Sequence, residues 1–244
     1  MYYYPLFFRN QMKCNKKYIL DFKRGDVNGD KIIDNVYLMG EKPSGIGSPF
    51  VDNITLIIQD GKTKDFTRIP LKANAGYTPT IFLGDFTNDK VDDILVSIDS
   101  GGSGGLAFYY IYSFLDNEPQ KIFDFEKFNK KYKYDVIYKD CYQVEVTSKD
   151  SSKKYTIDIK YKGEEYLSEI YDERGKLKQP IEGWVNPLGG LYPIDFQRDG
   201  VYELYALQRI AGRYNADGLG YIQTSLEWNG KEFIPFFQTL GIFG

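Results

Sequence analysis

A segment that begins with aspartate recurs along this 244-residue chain at a nearly regular interval, which constrains the fold more than any other feature of the sequence. Its reference residues, which lie 59, 55 and 55 positions apart, are Asp26, Asp85, Asp140 and Asp195. A fixed period in the range of tens of residues is typical of repeat architectures. We therefore predict one domain over 1–244 with four repeats, at approximately 18–72, 77–128, 132–178 and 188–242.

Each repeat divides into short runs of aromatic and β-branched residues, which favour strands. Alternation with polar residues is clear at Val144 and Val146, and an Asn229-Gly230 turn separates two later runs. The pattern predicts an all-β fold, a β-propeller of four or five blades with four antiparallel strands each. The last strand of the third repeat is expected at 166–171, and 123–134 is the nearest approach to a helical pattern. An irregular β-sandwich with chance spacing is the alternative.

Three of the repeats carry a nine-residue acidic loop before the second strand. Oxygen-bearing side chains stand at positions 1, 3, 5 and 9, and position 7 offers a backbone carbonyl. The candidate ligands are Asp26, Asn28, Asp30, Ile32 and Asp34 in the first loop, Asp85, Thr87, Asp89, Val91 and Asp93 in the second, and Asp195, Gln197, Asp199, Val201 and Glu203 in the third. Calcium prefers six to eight such hard oxygens, and clustered carboxylates repel one another unless a cation neutralises them.

An EF-hand loop begins similarly, but it requires a bidentate carboxylate at position 12 and flanking helices. Position 12 is Tyr37, Val96 or Ala206 here, so the EF-hand is excluded. Ordinary Asx-rich turns with solvated acids remain an alternative to metal binding. We predict structural calcium ions in the first two loops and treat the third loop, with its longer Glu203, as a weaker candidate.

The two best loops, Gly25 to Asp34 and Gly84 to Leu95, resemble the FG-GAP and VCBS-type repeats of integrin-alpha-like β-propellers. The resemblance implies calcium bound between the first two strands of a blade. The sequence departs from that pattern where the usual glycine after the third ligand is Lys31 or Lys90, and it survives as Gly200. The motifs cover about a tenth of the chain.

The chain contains no histidine, which removes the commonest general base and the commonest transition-metal ligand. The segment Gly101 to Gly105 matches a nucleophile elbow formally, but that elbow needs a following helix and a histidine partner. We predict that the protein is not an enzyme. A hydrolase using carboxylates and metal is the weakest alternative.

Three glycine-rich loops follow the second strands of their repeats, at 40–49, 100–105 and 211–220. The candidates for lining a concave surface beside them are Phe50, Tyr109, Tyr110, Tyr214, Tyr221, Arg209 and Arg213. The favoured interpretation is that glycine only allows tight strand connections here and that the aromatic residues belong to the core. We predict a binding or scaffold module that engages a protein or carbohydrate through these loops. A structural component of a surface or spore-type assembly is the second interpretation.

The formal net charge of −3 gives no electrostatic footprint for nucleic acid, so no nucleic-acid partner is expected. We also expect no membrane insertion, because neither a signal peptide nor an apolar run of about 18 residues is present. Two cysteines, Cys14 and Cys141, are too few for a disulfide scaffold. They can form one bridge, although two free buried thiols are the preferred interpretation, and the compartment is left open.

Overall fold

The computed structural model describes residues 17–242, which form an all-β fold of fifteen strands and two short α-helices. The strands of the first sheet are β1 (Lys17–Gly25), β2 (Asp34–Glu41), β3 (Phe50–Gln59), β4 (Phe66–Pro70), β5 (Gly76–Gly84), β6 (Asp93–Asp99), β7 (Ala107–Ser113) and β8 (Gln120–Asp124). Those of the second sheet are β9 (Tyr134–Lys139), β10 (Gln143–Ser148), β11 (Lys154–Asp158), β12 (Glu182–Ile194), β13 (Glu203–Ala211), β14 (Gly218–Trp228) and β15 (Phe233–Gly241).

The predicted all-β class is confirmed, but a four-blade propeller is not shown, because the strands join into two sheets. The first has the order β1-β2-β3-β5-β6-β7-β8 with β4 on β3, and the second runs β11-β10-β9-β12-β13-β14-β15. Neighbouring groups of strands are connected where a long strand extends beyond one partner strand and pairs with another. Phe50 and Val51 of β3 pair with β5, and Glu182 and Gly183 of β12 pair with β9.

Two short helices interrupt the strands, one at a predicted strand and one at a segment with a weak helical pattern. The strand predicted at 166–171 is wrong, because helix α2 (Glu164–Ile170) occupies this segment. Its buried contact comes from Ile170, and glutamates in the first turn suit the positive helix N-terminus. Helix α1 (Phe125–Lys131) forms where the helical pattern was weak. The Asp124 side chain caps it by accepting from the Glu126 N–H, and Phe125 and Phe128 bury the same face.

One continuous apolar core includes residues of both sheets. Phe233 of β15 joins them, since its ring lies 6.4 Å from that of Phe86 and 5.9 Å from that of Phe123. Phe86 is fully buried, and Phe233 is 7 % exposed. Burial of one such ring stabilises the fold by about 1.5–3 kcal/mol.

Within residues 17–242, neither helix is long and apolar enough to cross a membrane.

Candidate functional site

The three acidic loops share the same closing hydrogen bond. In each loop the carboxylate at position 9 accepts from the backbone N–H at position 2: Asp34 from Val27 at 3.0 Å, Asp93 from Phe86 at 2.9 Å and Glu203 from Phe196 at 3.0 Å. The three carboxylates are 0 %, 2 % and 5 % exposed. Since each stands on the first residue of β2, β6 or β13, the strand fixes its position at the base of the loop.

The carboxylates at positions 1 and 5 are also used alike. The position 1 side chain accepts from the N–H at position 6: Asp26 from Lys31 at 2.8 Å, Asp85 from Lys90 at 2.8 Å and Asp195 from Gly200 at 3.0 Å. The position 5 side chain accepts from the N–H at position 7: Asp30 from Ile32 at 2.8 Å, Asp89 from Val91 at 3.0 Å and Asp199 from Val201 at 3.0 Å. The same side-chain positions therefore organise the backbone of all three loops.

Position 3 differs between the loops. Asn28 is 3 % exposed, accepts from the Asp30 N–H, and donates to Asp60 at 3.4 Å and Asn117 at 3.2 Å. Thr87 Oγ1 donates to Asp93 at 3.2 Å, and Gln197 Nε2 donates to Glu203 at 3.2 Å. In the second and third loops this residue therefore supports the last carboxylate.

Position 6 is left-handed in every loop, with φ of 67° at Lys31, 69° at Lys90 and 90° at Gly200. This conformation explains why glycine is the favoured residue there. A lysine in the same conformation costs about 1–2 kcal/mol. The first two loops thus hold a strained residue at the position where the third has its glycine.

The loops dock on one another in a row. The Asp92 N–H donates to the Asp26 carbonyl at 3.1 Å, and the Tyr202 N–H donates to the Asp85 carbonyl at 2.7 Å. Position 8 of one loop thereby bonds position 1 of the loop before it. A Cβ at Gly25 would lie 2.5 Å from the Asp92 carboxylate, and one at Gly84 would lie 2.8 Å from the Tyr202 ring. The glycines before the first two loops therefore permit this close approach.

The electrostatics of the loops favour a cation. Burial, with nearby carboxylates as a smaller cause, raises the pKa of Asp34 and raises that of Asp93 to about 7. Across residues 17–242 neither carboxylate forms an ion pair with a Lys or Arg side chain. A carboxylate oxygen that accepts one hydrogen bond still has a lone pair for a metal. The donors thus fit a hard divalent ion in chemical type.

The geometry does not display a ready-made metal cluster. Within the part of the chain that the structure describes, no three carboxylate or thiol side chains converge as metal ligands. The loops are closed instead by the hydrogen bonds given above, as in Asx turns. Calcium binding by these residues therefore stays a prediction.

The glycine-rich loops lie at the other ends of β2, β6 and β13, and contacts link them into one edge. The Tyr77 ring connects the second loop to the start of β3, which directly follows the first loop: its centroid lies 5.4 Å from that of Phe50, and a Cβ at Gly101 would meet it at 2.1 Å. Asn215 Nδ2 donates to Ser103 Oγ at 3.3 Å and connects the second loop to the third. We call the loops 40–49, 100–105 and 211–220 the glycine-rich edge.

The residues expected to line this edge divide into two groups. Tyr109 and Tyr110 are 7 % and 1 % exposed, so the favoured interpretation, that the aromatic residues belong to the core, is confirmed for them. Tyr110 Oη accepts from the Ala73 N–H, and Tyr109 Oη donates to the Gly189 carbonyl. Arg213 pairs with a glutamate of α2. Those that remain at the edge are Phe50, Arg209, Tyr214 and Tyr221.

A buried polar cluster at the third glycine-rich loop, 211–220, is not predicted by the sequence pattern. The Asp217 side chain is 2 % exposed and pairs with Lys162 Nζ at 2.8 Å. Tyr166 Oη donates to Asp217 at 2.7 Å and also lies 2.9 Å from Tyr138 Oη. Burial opposes the charge of Asp217, but hydrogen bonds from Lys162, Tyr166 and the Arg213 N–H outweigh it and lower the pKa of the carboxyl. This cluster ties α2 and β9 to the β13–β14 loop, and its members lie too far apart in sequence to form a motif.

Cys141 is exposed and unpaired in the described part of the chain, so the prediction of a buried thiol is wrong for this residue. It stands in the turn between β9 and β10, with φ of 62°. Cys14 lies outside the described residues.

These features define a class, an all-β protein of two antiparallel sheets with acidic loops at one end and glycine-rich loops at the other. The family described as the YybI C-terminal domain matches residues 132–241, which covers the second sheet. The chain is 51 % identical over 241 residues to uncharacterized protein YybI of Bacillus subtilis (strain 168), covering 99 % of this chain and 90 % of the relative. The chain therefore belongs to the YybI family. No solved structure matches it.

The resemblance to FG-GAP and VCBS-type repeats is therefore wrong as a family assignment, because neither family is found and YybI is. The physical reason lies in the motif. A short loop of alternating acidic residues satisfies its own backbone amides, so it can occur in unrelated β proteins. Such a loop carries information about a turn and little about the rest of a fold.

Proposed function

We propose that this protein is a non-enzymatic binding module that presents the glycine-rich edge to a protein or carbohydrate ligand. The observation that carries the proposal is the gathering of three separate loops into one edge through Tyr77 and the Asn215–Ser103 hydrogen bond. Loops held on a rigid sheet are a common place for binding residues. Tyr214 is 56 % exposed on this edge, and it offers an aromatic ring to a ligand.

We further propose that calcium ions in the first two acidic loops, and more weakly in the third, stabilise the opposite end of the sheets. The support is the buried charge of Asp34 and Asp93 and the repeated use of positions 1, 5 and 9. Since β2, β6 and β13 have seven to nine residues, the two ends lie about 25 Å apart. Calcium would then act on the stability of the protein and would not touch the ligand.

The binding proposal is tested by screening the immobilised protein against a glycan array and a peptide library. Tyr214→Ala should remove the binding that is found, because it deletes an exposed ring of the glycine-rich edge. Phe237→Ala is the matched control, since its ring is 59 % exposed on β15, away from that edge. Binding that survives Tyr214→Ala but not Phe237→Ala would place the ligand elsewhere. Turnover of any bound glycan or peptide would show that the protein is an enzyme.

A further inference from the structure

A cavity of about 170 Å³ opens between the second loop of the glycine-rich edge, at 100–105, and strands β12, β13 and β14. Its walls include Ser103, Gly105, Gly189, Tyr192, Arg209 and Tyr221, and no Asp or Glu is among its described lining residues. Pockets for drug-sized ligands measure about 300–1,000 Å³, so this cavity takes a single ring or a single side chain.

Arg209 gives the cavity a positive charge that the protein itself does not neutralise. Its guanidinium donates to the Ala216 carbonyl at 3.2 Å, while its Nε is buried and has no hydrogen-bond partner. Within residues 17–242 no carboxylate forms an ion pair with it, whereas Arg213, four residues on, pairs with Glu169. A guanidinium has five donors in a planar fork, which suits a carboxylate.

In the cavity walls, glycines allow backbone segments and the Tyr192 ring to approach one another closely. A Cβ at Gly189 would lie 2.5 Å from the Gly105 carbonyl oxygen, and one at Gly190 would lie 2.9 Å from the Tyr192 ring. Larger residues at these two positions would force the walls apart.

An amide network holds the loop 100–105, which forms one wall of the cavity. Asn186, which is 6 % exposed, accepts from Trp184 Nε1 at 2.8 Å and donates to Asn215 Oδ1 at 3.1 Å. Asn215 in turn donates to Ser103. Ser103 is therefore held in place before any ligand arrives, which reduces the entropy lost on binding.

We propose that the cavity binds the carboxylate of an acidic sugar unit, a uronic acid, at the end of a glycan chain. Arg209 pairs with the carboxylate, the Tyr192 ring, which is 51 % exposed, flanks the sugar ring, and Ser103 meets a sugar hydroxyl. An acidic peptide side chain shares the carboxylate, but it has no hydroxyl group for Ser103. This inference rests on the proposed function of the glycine-rich edge and names its ligand class.

The test is a calorimetric titration of the full chain with methyl glucuronide and with methyl glucoside, which differ in the carboxylate. Wild-type protein should bind the glucuronide about 10- to 100-fold more tightly, the range expected for hydrogen bonds to a charged group. Arg209→Gln should abolish the difference. Arg209→Lys should keep part of it, since the charge remains and the fork is lost. Arg68→Gln removes the same charge from an exposed strand position and should bind as wild type does.

Three results would overturn the inference. Equal affinity for the two sugars would exclude an acidic ligand and leave the glycine-rich edge as a binding surface. No glucuronide binding at about 10 mM would exclude the sugar class, while the comparison of Tyr214→Ala with Phe237→Ala decides the proposed function separately. An acidic peptide that binds through Arg209 in place of the glucuronide would show that the partner is a protein. Circular dichroism establishes that both Arg209 variants are folded.

Discussion

Replacing Asp93 by asparagine tests both the buried charge and the calcium proposal. Without a divalent cation, burial raises the pKa of Asp93 to about 7 from an ordinary value of 3.8. The folded state therefore binds this proton more tightly than the unfolded state does. Proton binding by Asp93 contributes fully to the stability of the folded state below pH 3.8. This contribution declines as the pH rises toward 7 and is lost above pH 7. At 1.36 kcal/mol for each pKa unit, the loss amounts to at most about 4 kcal/mol.

Calcium reverses the sign of this effect. In excess EGTA at pH 8, Asp93→Asn should be more stable than the wild type, because it removes an uncompensated buried charge. When the calcium concentration is about 100 times the dissociation constant, each occupied site raises the unfolding free energy of the wild type by about 2.7 kcal/mol. The variant should lack the part of this increase that comes from the second loop. Asp135→Asn is the matched control, because the Asp135 side chain is 52 % exposed. It should change the unfolding free energy by no more than about 0.5 kcal/mol, either in EGTA or in calcium.

The assay is urea denaturation of the three proteins in EGTA and in calcium, at pH 5 and pH 8. If calcium raises the unfolding free energy of wild type and Asp93→Asn equally, the second loop holds no calcium. If wild-type stability in EGTA is the same at both pH values and the variant is no more stable, the reasoning about the buried charge is wrong.

Three further changes have defined outcomes in the same denaturation assay. Gly84→Ala should cost about 1–3 kcal/mol by forcing a Cβ against the Tyr202 ring, whereas Gly47→Ala, with nothing within 4 Å, should stay near wild type; equal effects would refute the contact. Asp217→Asn should cost about 3 kcal/mol at pH 7 because it leaves Lys162 without its buried partner; a loss under about 1 kcal/mol would show the pair to be dispensable. Lys90→Gly should stabilise the protein by up to about 1 kcal/mol, by relieving the left-handed conformation, and a lower stability would contradict that account.

The strand pattern was largely readable because it depends on neighbours along the chain. Alternating residues such as Val144 and Val146 predict a strand with one buried face, and both are fully buried in β10. The strand prediction for 166–171 is wrong because a run of six residues is too short to separate a helix from a strand by periodicity. Its helix is fixed by packing of Ile170 and by the bond from Tyr166 to Asp217, which is 51 positions away.

The acidic loops were also predictable in part, because the hydrogen bonds that close each loop on its own carboxylates join residues no more than seven positions apart. The amide network that holds the cavity wall was not predictable. Ser103, Asn186 and Asn215 come from three distant segments, and none has a pattern that marks it. Arg209 was named from its neighbourhood, but its lack of a carboxylate partner is visible only in three dimensions.

The sequence alone therefore determined the all-β class and the form of the acidic loops, since strand alternation and Asx-type turns depend on short-range steric and hydrogen-bonding effects. Only the tertiary structure decided that the strands merge into two sheets, that the loops stack in a row, and which side chains surround Arg209. Those outcomes depend on contacts between residues far apart in the chain, where a few pairs such as Phe50 with Tyr77 select one arrangement.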